Sequence, residues 1–216
     1  MRHGAIFDMD GLLLDTERTY VTGWRKAAVR FGTASSPEFE QAVAGTNGER
    51  MREVIRHFFP QVDAQAFLDT CLTIAADERR NGVRKMPGAE EILRFFRENG
   101  VKMALASASD PDTIHENLRR AGLETYFDAL VSGEDVPRGK PAPDIFLYAA
   151  RQLRLSPEDC YVFEDGISGA TAGVAAGCAT VMIPDLFQPT AELKAGCAGI
   201  YNSLILAKEA LKAGQI

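Results

Sequence analysis

Short apolar runs alternate with amphipathic stretches along most of the chain. Five runs have the length and composition of buried strands and are bounded by turn-forming residues: 4–7 (GAIF), 101–106 (VKMALA), 128–132 (DALVS), 160–164 (CYVFE) and 179–183 (ATVMI). Helical periodicity is found at 88–99, 111–121, 142–153, 167–177 and 203–213. Strands that alternate with helices predict an α/β fold in which helices cover both faces of a parallel sheet.

Residues 16–84 interrupt this alternation. Amphipathic stretches follow one another there with no convincing strand between them, at about 17–31, 37–43, 48–58 and 64–81. We therefore predict two domains. Residues 1–15 and 85–216 form the core with the sheet, and residues 16–84 form an inserted all-helical domain.

The composition narrows the class of function. The 216 residues carry a net charge of −6 with scattered basic residues, which argues against a nucleic-acid or anionic-membrane surface. No apolar run is long enough to cross a bilayer and no signal-peptide pattern precedes the first strand, so we expect a cytoplasmic protein. The four cysteines form no C-x-x-C pair and have no nearby histidine, which predicts reduced, mostly buried thiols.

Polar side chains stand where the predicted strands end. They are Asp8 and Asp10 after the first strand, Ser107 at the end of the second, Lys140 in the loop after the third, and Glu164 and Asp165 at the end of the fourth. The carboxyl ends of parallel strands meet at one edge of a sheet. Each residue alone has an ordinary structural reading, as a helix-entry serine, a surface lysine or a capping turn. Together they predict phosphoryl transfer, because a carboxylate can approach a phosphate ester only when cations neutralise the charge.

Asp8 and Asp10 are two residues apart, so in an extended chain their side chains project to the same side, roughly 6–7 Å apart. This spacing predicts that Asp8 is the nucleophile and that Asp10 is the general acid and base. Mg²⁺ is the metal that suits such an oxygen-rich site with few protein ligands.

Phosphate-binding groups are predicted on two loops. Ser107 and the backbone amides of Ala108 and Ser109 precede a helix for which Asp110 is the predicted N-cap, a place that favours bound anions. Lys140 stands directly before a proline, on a loop that we expect to hold its ammonium group against the phosphate.

Four segments, FDMDGLLLDTE, LASAS, GKPAPDIF and FEDGISGATAGVAAG, occur in this order between Ile6 and Gly177. They resemble the four successive motifs of the haloacid dehalogenase superfamily, in its β-phosphoglucomutase-like phosphatase branch. The resemblance implies a Rossmann-like core, a helical cap domain and an aspartyl-phosphate intermediate on Asp8. It also implies that Asp8, Asp165, the backbone carbonyl of Asp10 and, directly or through water, Glu164 hold Mg²⁺.

The motifs also separate the branches of that superfamily. Dehalogenases and phosphonatases lack the second aspartate of the first motif, which is Asp10 in this chain. A phosphosugar mutase of the β-phosphoglucomutase type is the main alternative to a phosphatase. Such mutases carry a histidine at the position that aligns with Tyr20 of this chain. They also carry a cap-loop lysine that VAGTNGERM (43–51) lacks, where Arg50 is the nearest basic residue. Both departures favour the phosphatase. A non-catalytic binding module is a remote alternative, since none of the core motif residues is missing.

The cap is expected to determine which ester is hydrolysed. Glu17, Tyr20, Thr46 and Asn47 are the predicted specificity residues, and Trp24 is either one of them or part of the core of the cap. By analogy with the family, we expect a sugar or polyol phosphate. The expected partner is therefore a small phosphorylated metabolite, and we expect a monomer that binds neither nucleic acid nor membrane.

Overall fold

A computed structural model describes residues 1–43, 46, 48–80, 82–184 and 189–216 of the chain, without the side chain of Glu17. Six parallel strands form one sheet. They are β1 (Gly4–Phe7), β2 (Lys102–Ser107), β3 (Ala129–Ser132), β4 (Cys160–Glu164), β5 (Ala179–Met182) and β6 (Gly199–Ile200). Their order in the sheet is β3-β2-β1-β4-β5-β6, so β1 lies near its centre between β2 and β4.

Helices account for most of the remaining described chain. They are α1 (Glu17–Arg30), α2 (Pro37–Val43), α3 (Gly48–Phe58), α4 (Ala64–Arg80), α5 (Ala89–Glu98), α6 (Pro111–Ala121), α7 (Asp144–Leu153), α8 (Ile167–Ala175), α9 (Ala191–Gly196) and α10 (Leu204–Lys212). The α/β class and the Rossmann-like parallel sheet are confirmed. The prediction did not include β6, which has only two residues, too few to form a recognisable apolar run.

The chain divides into two compact units. Unit 1 consists of Met1–Asp15 and Arg84–Ile216 and contains the whole sheet, and unit 2 consists of Thr16–Val83 and contains α1 to α4. The second crossing between the units lies between Val83 and Arg84. The sequence had placed it one residue later.

The core of unit 1 lies on both faces of the sheet. Ile6 packs into one buried cluster with side chains of α7 and α8, such as Phe146 and Ala172. The next residue, Phe7, points to the other face, where its ring stacks on Phe163 with the centroids 4.8 Å apart and meets the edge of Phe96 from α5. Because β1 is buried on both faces, its sequence is continuously apolar instead of alternating.

Unit 2 has a separate aromatic core. Trp24 is only 4% exposed and packs edge-on against Phe39, 5.6 Å away, and parallel to Phe67, 6.3 Å away. Trp24 therefore fills the core of this unit, the structural alternative that the sequence left open for it.

The cysteines are free thiols, as predicted, with three buried and Cys197 half-buried. Burial raises the pKa of Cys71 to about 12 and that of Cys160 to about 11, so both thiols stay protonated at neutral pH. In the ranges that the structure covers, no helix is long and apolar enough to span a membrane.

Candidate active site

The carboxyl end of β1 delivers Asp8 to the edge of the sheet. The Asp8 amide still donates a hydrogen bond to the carbonyl of Phe163 on β4, 3.0 Å away, so the backbone at this residue is held like a strand. The residue is only 6% exposed. A buried carboxylate requires a compensating charge, and Lys140 supplies one.

Lys140 is the centre of a buried charge cluster. Its ammonium nitrogen donates to Asp8 Oδ1 at 2.5 Å, to Glu164 Oε1 at 2.6 Å and to the carbonyl oxygen of Ala106 at 3.1 Å. The same nitrogen lies 5.1 Å from the centre of the Phe146 ring. Only 11% of the side chain is exposed. The lysine predicted on a loop is therefore a buried group that links the ends of three neighbouring strands.

Glu164 is held at both carboxylate oxygens. Oε1 accepts from Lys140, and Oε2 accepts from the amide of Gly166 at 3.0 Å. The carboxylate lies against α8 at Gly169, where an added Cβ would overlap it. A glycine at this helix position is what leaves space for the glutamate.

Asp10 turns toward the end of β2. Its Oδ2 accepts hydrogen bonds from two serine hydroxyls, Ser107 Oγ and Ser109 Oγ, both at 3.1 Å. Ser107 is fully buried, and its Oγ also accepts the Ser109 amide at 3.1 Å. The Ser109 amide, which the sequence assigned to the phosphate, is thus hydrogen-bonded to Ser107 Oγ.

Three carboxylates meet close to this cluster. Asp8, Glu164 and Asp165 each offer one oxygen, and the three oxygens lie within 4.8 Å of one another. Gly11, at φ +85°, lies so close to Asp165 that an added Cβ would overlap its carboxylate. The glycine therefore lets the chain turn away after the two aspartates and leaves room for the third carboxylate.

The crowding shifts the pKa of several groups. Burial raises the pKa of Asp8 to about 7, although the nearby Lys140 opposes the shift. Burial, together with the charges of Asp8 and Glu164, raises the pKa of Asp165 to about 9. For Lys140 burial favours the neutral form, but the charges of Asp8 and Glu164 outweigh it and raise its pKa. The cluster is one that a divalent cation would stabilise.

The predicted residues of the core motifs meet at one edge of the sheet, and Ala108 lies between the two serines that hold Asp10. The predicted cap residues belong to unit 2. Tyr20 lies in α1 with the Arg79 guanidinium 5.0 Å from its ring centre, and the Thr46 hydroxyl donates to the Val43 carbonyl at 2.6 Å. Asn47 and the side chain of Glu17 lie outside the described residues.

Sequence reasoning missed the hydroxyl of Ser109 and the contribution of Ser132 at the end of β3. The Ser132 hydroxyl donates to the Ser109 carbonyl oxygen at 2.8 Å. The signal for Ser109 was present in LASAS, where the second serine follows the first by two residues. The position of Ser132 at a strand end was the signal for that residue.

Comparison with known proteins identifies the family. The model of the haloacid dehalogenase-like hydrolases matches residues 3–177. The chain is 31% identical to a phosphorylated carbohydrates phosphatase of Thermotoga maritima over 91% of its length and 92% of that protein. It is also 31% identical to hexitol phosphatase A of Escherichia coli over 83% of its length and 82% of that protein.

A solved structure has the same fold. It is a haloacid dehalogenase family hydrolase from Deinococcus radiodurans with bound phosphate and sodium. The TM-score is 0.85 and the sequence identity 29%, over 100% of this chain and 97% of the other. The resemblance seen in the four motifs is thereby confirmed. The chain belongs to the haloacid dehalogenase-like hydrolases, which makes it an enzyme, and the two curated relatives described above are phosphatases.

Proposed function

We propose that this enzyme is a Mg²⁺-dependent phosphatase that hydrolyses a small phosphate monoester, such as a sugar or polyol phosphate, through an aspartyl-phosphate intermediate. One observation carries the proposal. A buried aspartate is fixed by a buried ammonium group, and a second aspartate, held by serine hydroxyls, follows two residues later. This arrangement supplies a nucleophile, a charge-neutralising group and a proton donor at one edge of the sheet.

Asp8 is the proposed nucleophile. Lys140 holds Oδ1, which fixes the plane of the carboxylate, and an oxygen of Asp8 attacks phosphorus as the bond from phosphorus to the leaving oxygen breaks. Lys140 also brings positive charge to the phosphoryl group as it approaches. In the second half of the reaction water attacks the aspartyl phosphate, and the bond between phosphorus and Asp8 breaks.

Asp10 is the proposed general acid and base. In the first step its carboxyl group gives a proton to the leaving oxygen, and in the second it takes a proton from the attacking water. Ser107 is proposed to bind a phosphoryl oxygen together with the Ala108 amide. Since the Ser107 hydroxyl lies within hydrogen-bond distance of Asp10, the phosphoryl group and the proton donor are brought together at this point.

The residues present fit a Mg²⁺ ion. Three carboxylate oxygens lie within 4.8 Å of one another, all the ligand atoms they offer are oxygens, and burial raises the pKa of two of these carboxyl groups. Asp8, Asp165, the Asp10 carbonyl and Glu164, directly or through water, are the proposed ligands. A bound ion would neutralise the phosphate and let Asp8 approach it as an anion.

The substrate class rests on the relatives. Both curated relatives described above are named for phosphorylated carbohydrates or hexitols, which are small polar esters. We carry over the class alone, since the core residues bind only the phosphoryl group. The specificity roles of Tyr20, Thr46, Asn47 and Glu17 stay predictions, and substitutions of these residues should change the order of preferred esters.

The first test is phosphate release from a panel of sugar, polyol and nucleotide monophosphates and an aryl phosphate, with Mg²⁺ or with a chelator. We expect release that needs the metal and falls by at least roughly a thousandfold in Asp8→Asn, because the amide cannot act as the nucleophile. Circular dichroism and the melting temperature would show that the variant is folded. Normal turnover by a folded Asp8→Asn would refute the assignment. Isomerisation of hexose 1-phosphates without release would favour the mutase.

A further inference from the structure

The proton donor Asp10 is held by two hydroxyls that differ in what else they must do. Ser107 and Ser109 each have one O–H, and both donate to Asp10 Oδ2 at 3.1 Å. A serine hydroxyl can donate only one hydrogen bond at a time. If Ser107 donates to a phosphoryl oxygen, it must release Asp10.

Ser109 has no such conflict and is itself firmly held. Its amide donates to Ser107 Oγ at 3.1 Å, and its carbonyl accepts from the buried Ser132 hydroxyl at 2.8 Å. The backbone next to it is also packed, since an added Cβ on Gly133 would lie 3.2 Å from the Cα of Ala108. The Ser109 hydroxyl is thus presented from a rigid segment between the ends of β2 and β3.

We propose that Ser109 is a positioning residue for Asp10: when Ser107 binds the phosphoryl group, the Ser109 hydroxyl keeps the Asp10 carboxyl oriented toward the leaving oxygen. Ser132 supports this arrangement by fixing the Ser109 backbone from the end of β3. The inference deepens the proposed function and rests on it. It also explains why two serines, two positions apart, point to a single carboxylate oxygen.

The test compares leaving groups of different acidity. An aryl ester with an activated leaving group needs little protonation, whereas an alkyl ester depends on the general acid. We expect Ser109→Ala to reduce kcat for alkyl phosphates by roughly ten- to a hundredfold and kcat for p-nitrophenyl phosphate by less than about threefold, with KM little changed. Ser109→Thr keeps a hydroxyl and should restore most of the loss. Ser132→Ala should show a smaller loss with the same dependence on the leaving group.

Ser156→Ala is the matched control, because Ser156 precedes the opposite end of the sheet, before β4, and its side chain makes no capping hydrogen bond. It should leave both classes of ester unchanged. Equal losses on alkyl and aryl esters in Ser109→Ala, or no loss at all, would overturn the positioning role. Failure of the threonine variant to recover any activity on alkyl esters would also count against it.

A second measurement needs no turnover. In protein labelled with ¹³C at the aspartate carboxyl groups, Asp10→Asn identifies the Asp10 resonance. Ser109→Ala should move this resonance, and Ser156→Ala should not. If neither Ser109→Ala nor Ser156→Ala moves the Asp10 resonance, Ser109 does not hold Asp10 in solution. If the wild type released phosphate from no ester, the proposed function would fall, and this comparison would still decide whether the contact exists.

Discussion

Asp10 lies within hydrogen-bond distance of the Ser107 hydroxyl, which in the proposed mechanism would tie proton transfer to the position of the phosphoryl group. We therefore predict that Asp10→Asn slows the hydrolysis of alkyl phosphates by about a hundredfold or more, and that of activated aryl phosphates by about tenfold or less. The reason is that an aryl oxygen leaves without a proton. Rates over a series of esters with graded leaving-group pKa would measure the difference. A uniform loss over the series would remove Asp10 from the acid role.

Asp165 is the residue at which metal binding and stability are most directly linked. Its pKa is raised from 3.8 to about 9, mainly by burial, so the folded chain holds a proton that the unfolded chain loses. The stabilisation of the folded state by the raised pKa of Asp165 is therefore complete below about pH 4, and it is lost as the pH rises through about 9. In the presence of a chelator, Asp165→Asn should therefore melt a few degrees higher than the wild type at pH 8 and about equally at pH 4.

The same variant should lose the rise in melting temperature that Mg²⁺ produces in the wild type, because a ligand of the proposed ion is gone. Asp128→Asn is a suitable control, since Asp128 directly precedes β3 at the opposite end of the strand from the acidic cluster, and its carboxylate accepts from the Met103 amide. An undiminished response of Asp165→Asn to Mg²⁺ would contradict the ligand assignment. If the difference in melting temperature between Asp165→Asn and the wild type were the same at pH 4 and pH 8, the argument from burial would be contradicted.

At the scale of elements, α8 leaves space for the Glu164 carboxylate because it has a glycine, Gly169, at the point of contact. A Cβ at Gly169 would overlap the Glu164 carboxylate, which also bonds Lys140. We predict that Gly169→Ala lowers the free energy of unfolding. The steric clash with Glu164 should cost about 1–3 kcal/mol, which outweighs the gain of about 1 kcal/mol in helix propensity. Activity should fall by roughly tenfold or more as Glu164 and Lys140 move. Thermal melting and phosphate release would measure the two effects.

Ser168→Ala, at an exposed position of the same helix, is the control for this substitution and should change neither property. A Gly169→Ala protein that is more stable than the wild type and fully active would show that α8 can shift to accommodate the methyl group. The argument that a glycine is required next to Glu164 would then be wrong.

The sequence was sufficient to predict the buried strands that have at least four residues. β1 to β5 are short apolar runs because a parallel strand covered on both faces needs no polar alternation, and this pattern is visible without a structure. β6 has two half-buried residues and carries no such pattern. The edge at which the strands end was predicted from topology alone, so the residues that meet there were predicted too.

The contacts within the site were beyond the sequence. That Lys140 reaches three oxygens, and that Asp10 turns toward Ser107 and Ser109, depends on loop paths and side-chain rotamers. Neither is encoded in a local pattern. The sequence could therefore predict which types of chemical group form the site, whereas the hydrogen bonds between these groups are seen only in the structure.

At the scale of the whole molecule, buried thiols report separately on the two units. Cys71 belongs to unit 2, and Cys160 and Cys178 belong to unit 1. Burial raises the pKa of all three to between about 11 and about 12, so alkylation at pH 8 should require local or global opening. We predict that Cys71 becomes reactive at lower urea than the other two, because the smaller unit buries less surface.

Brief pulses of iodoacetamide at increasing urea, followed by mass spectrometry of peptides, would measure this order. Cys197 is half-buried and should react before the buried thiols, which provides an internal control for the reagent. Labelling of Cys71 and Cys160 at one common urea concentration would show that the two units unfold together.

The central place of β1 in the sheet affects how the protein is made. Of the described strands β1 is synthesised first, and its two neighbours in the sheet begin only at Lys102 and Cys160. At roughly 5–20 residues per second, synthesis takes on the order of ten seconds to reach the second of them. Until β2 is made, β1 has no partner on either side, and until β4 is made, one of its two edges stays unpaired. The strand that leads to the proposed nucleophile is therefore also an apolar edge that the nascent chain must keep from pairing with other chains until its neighbours are made.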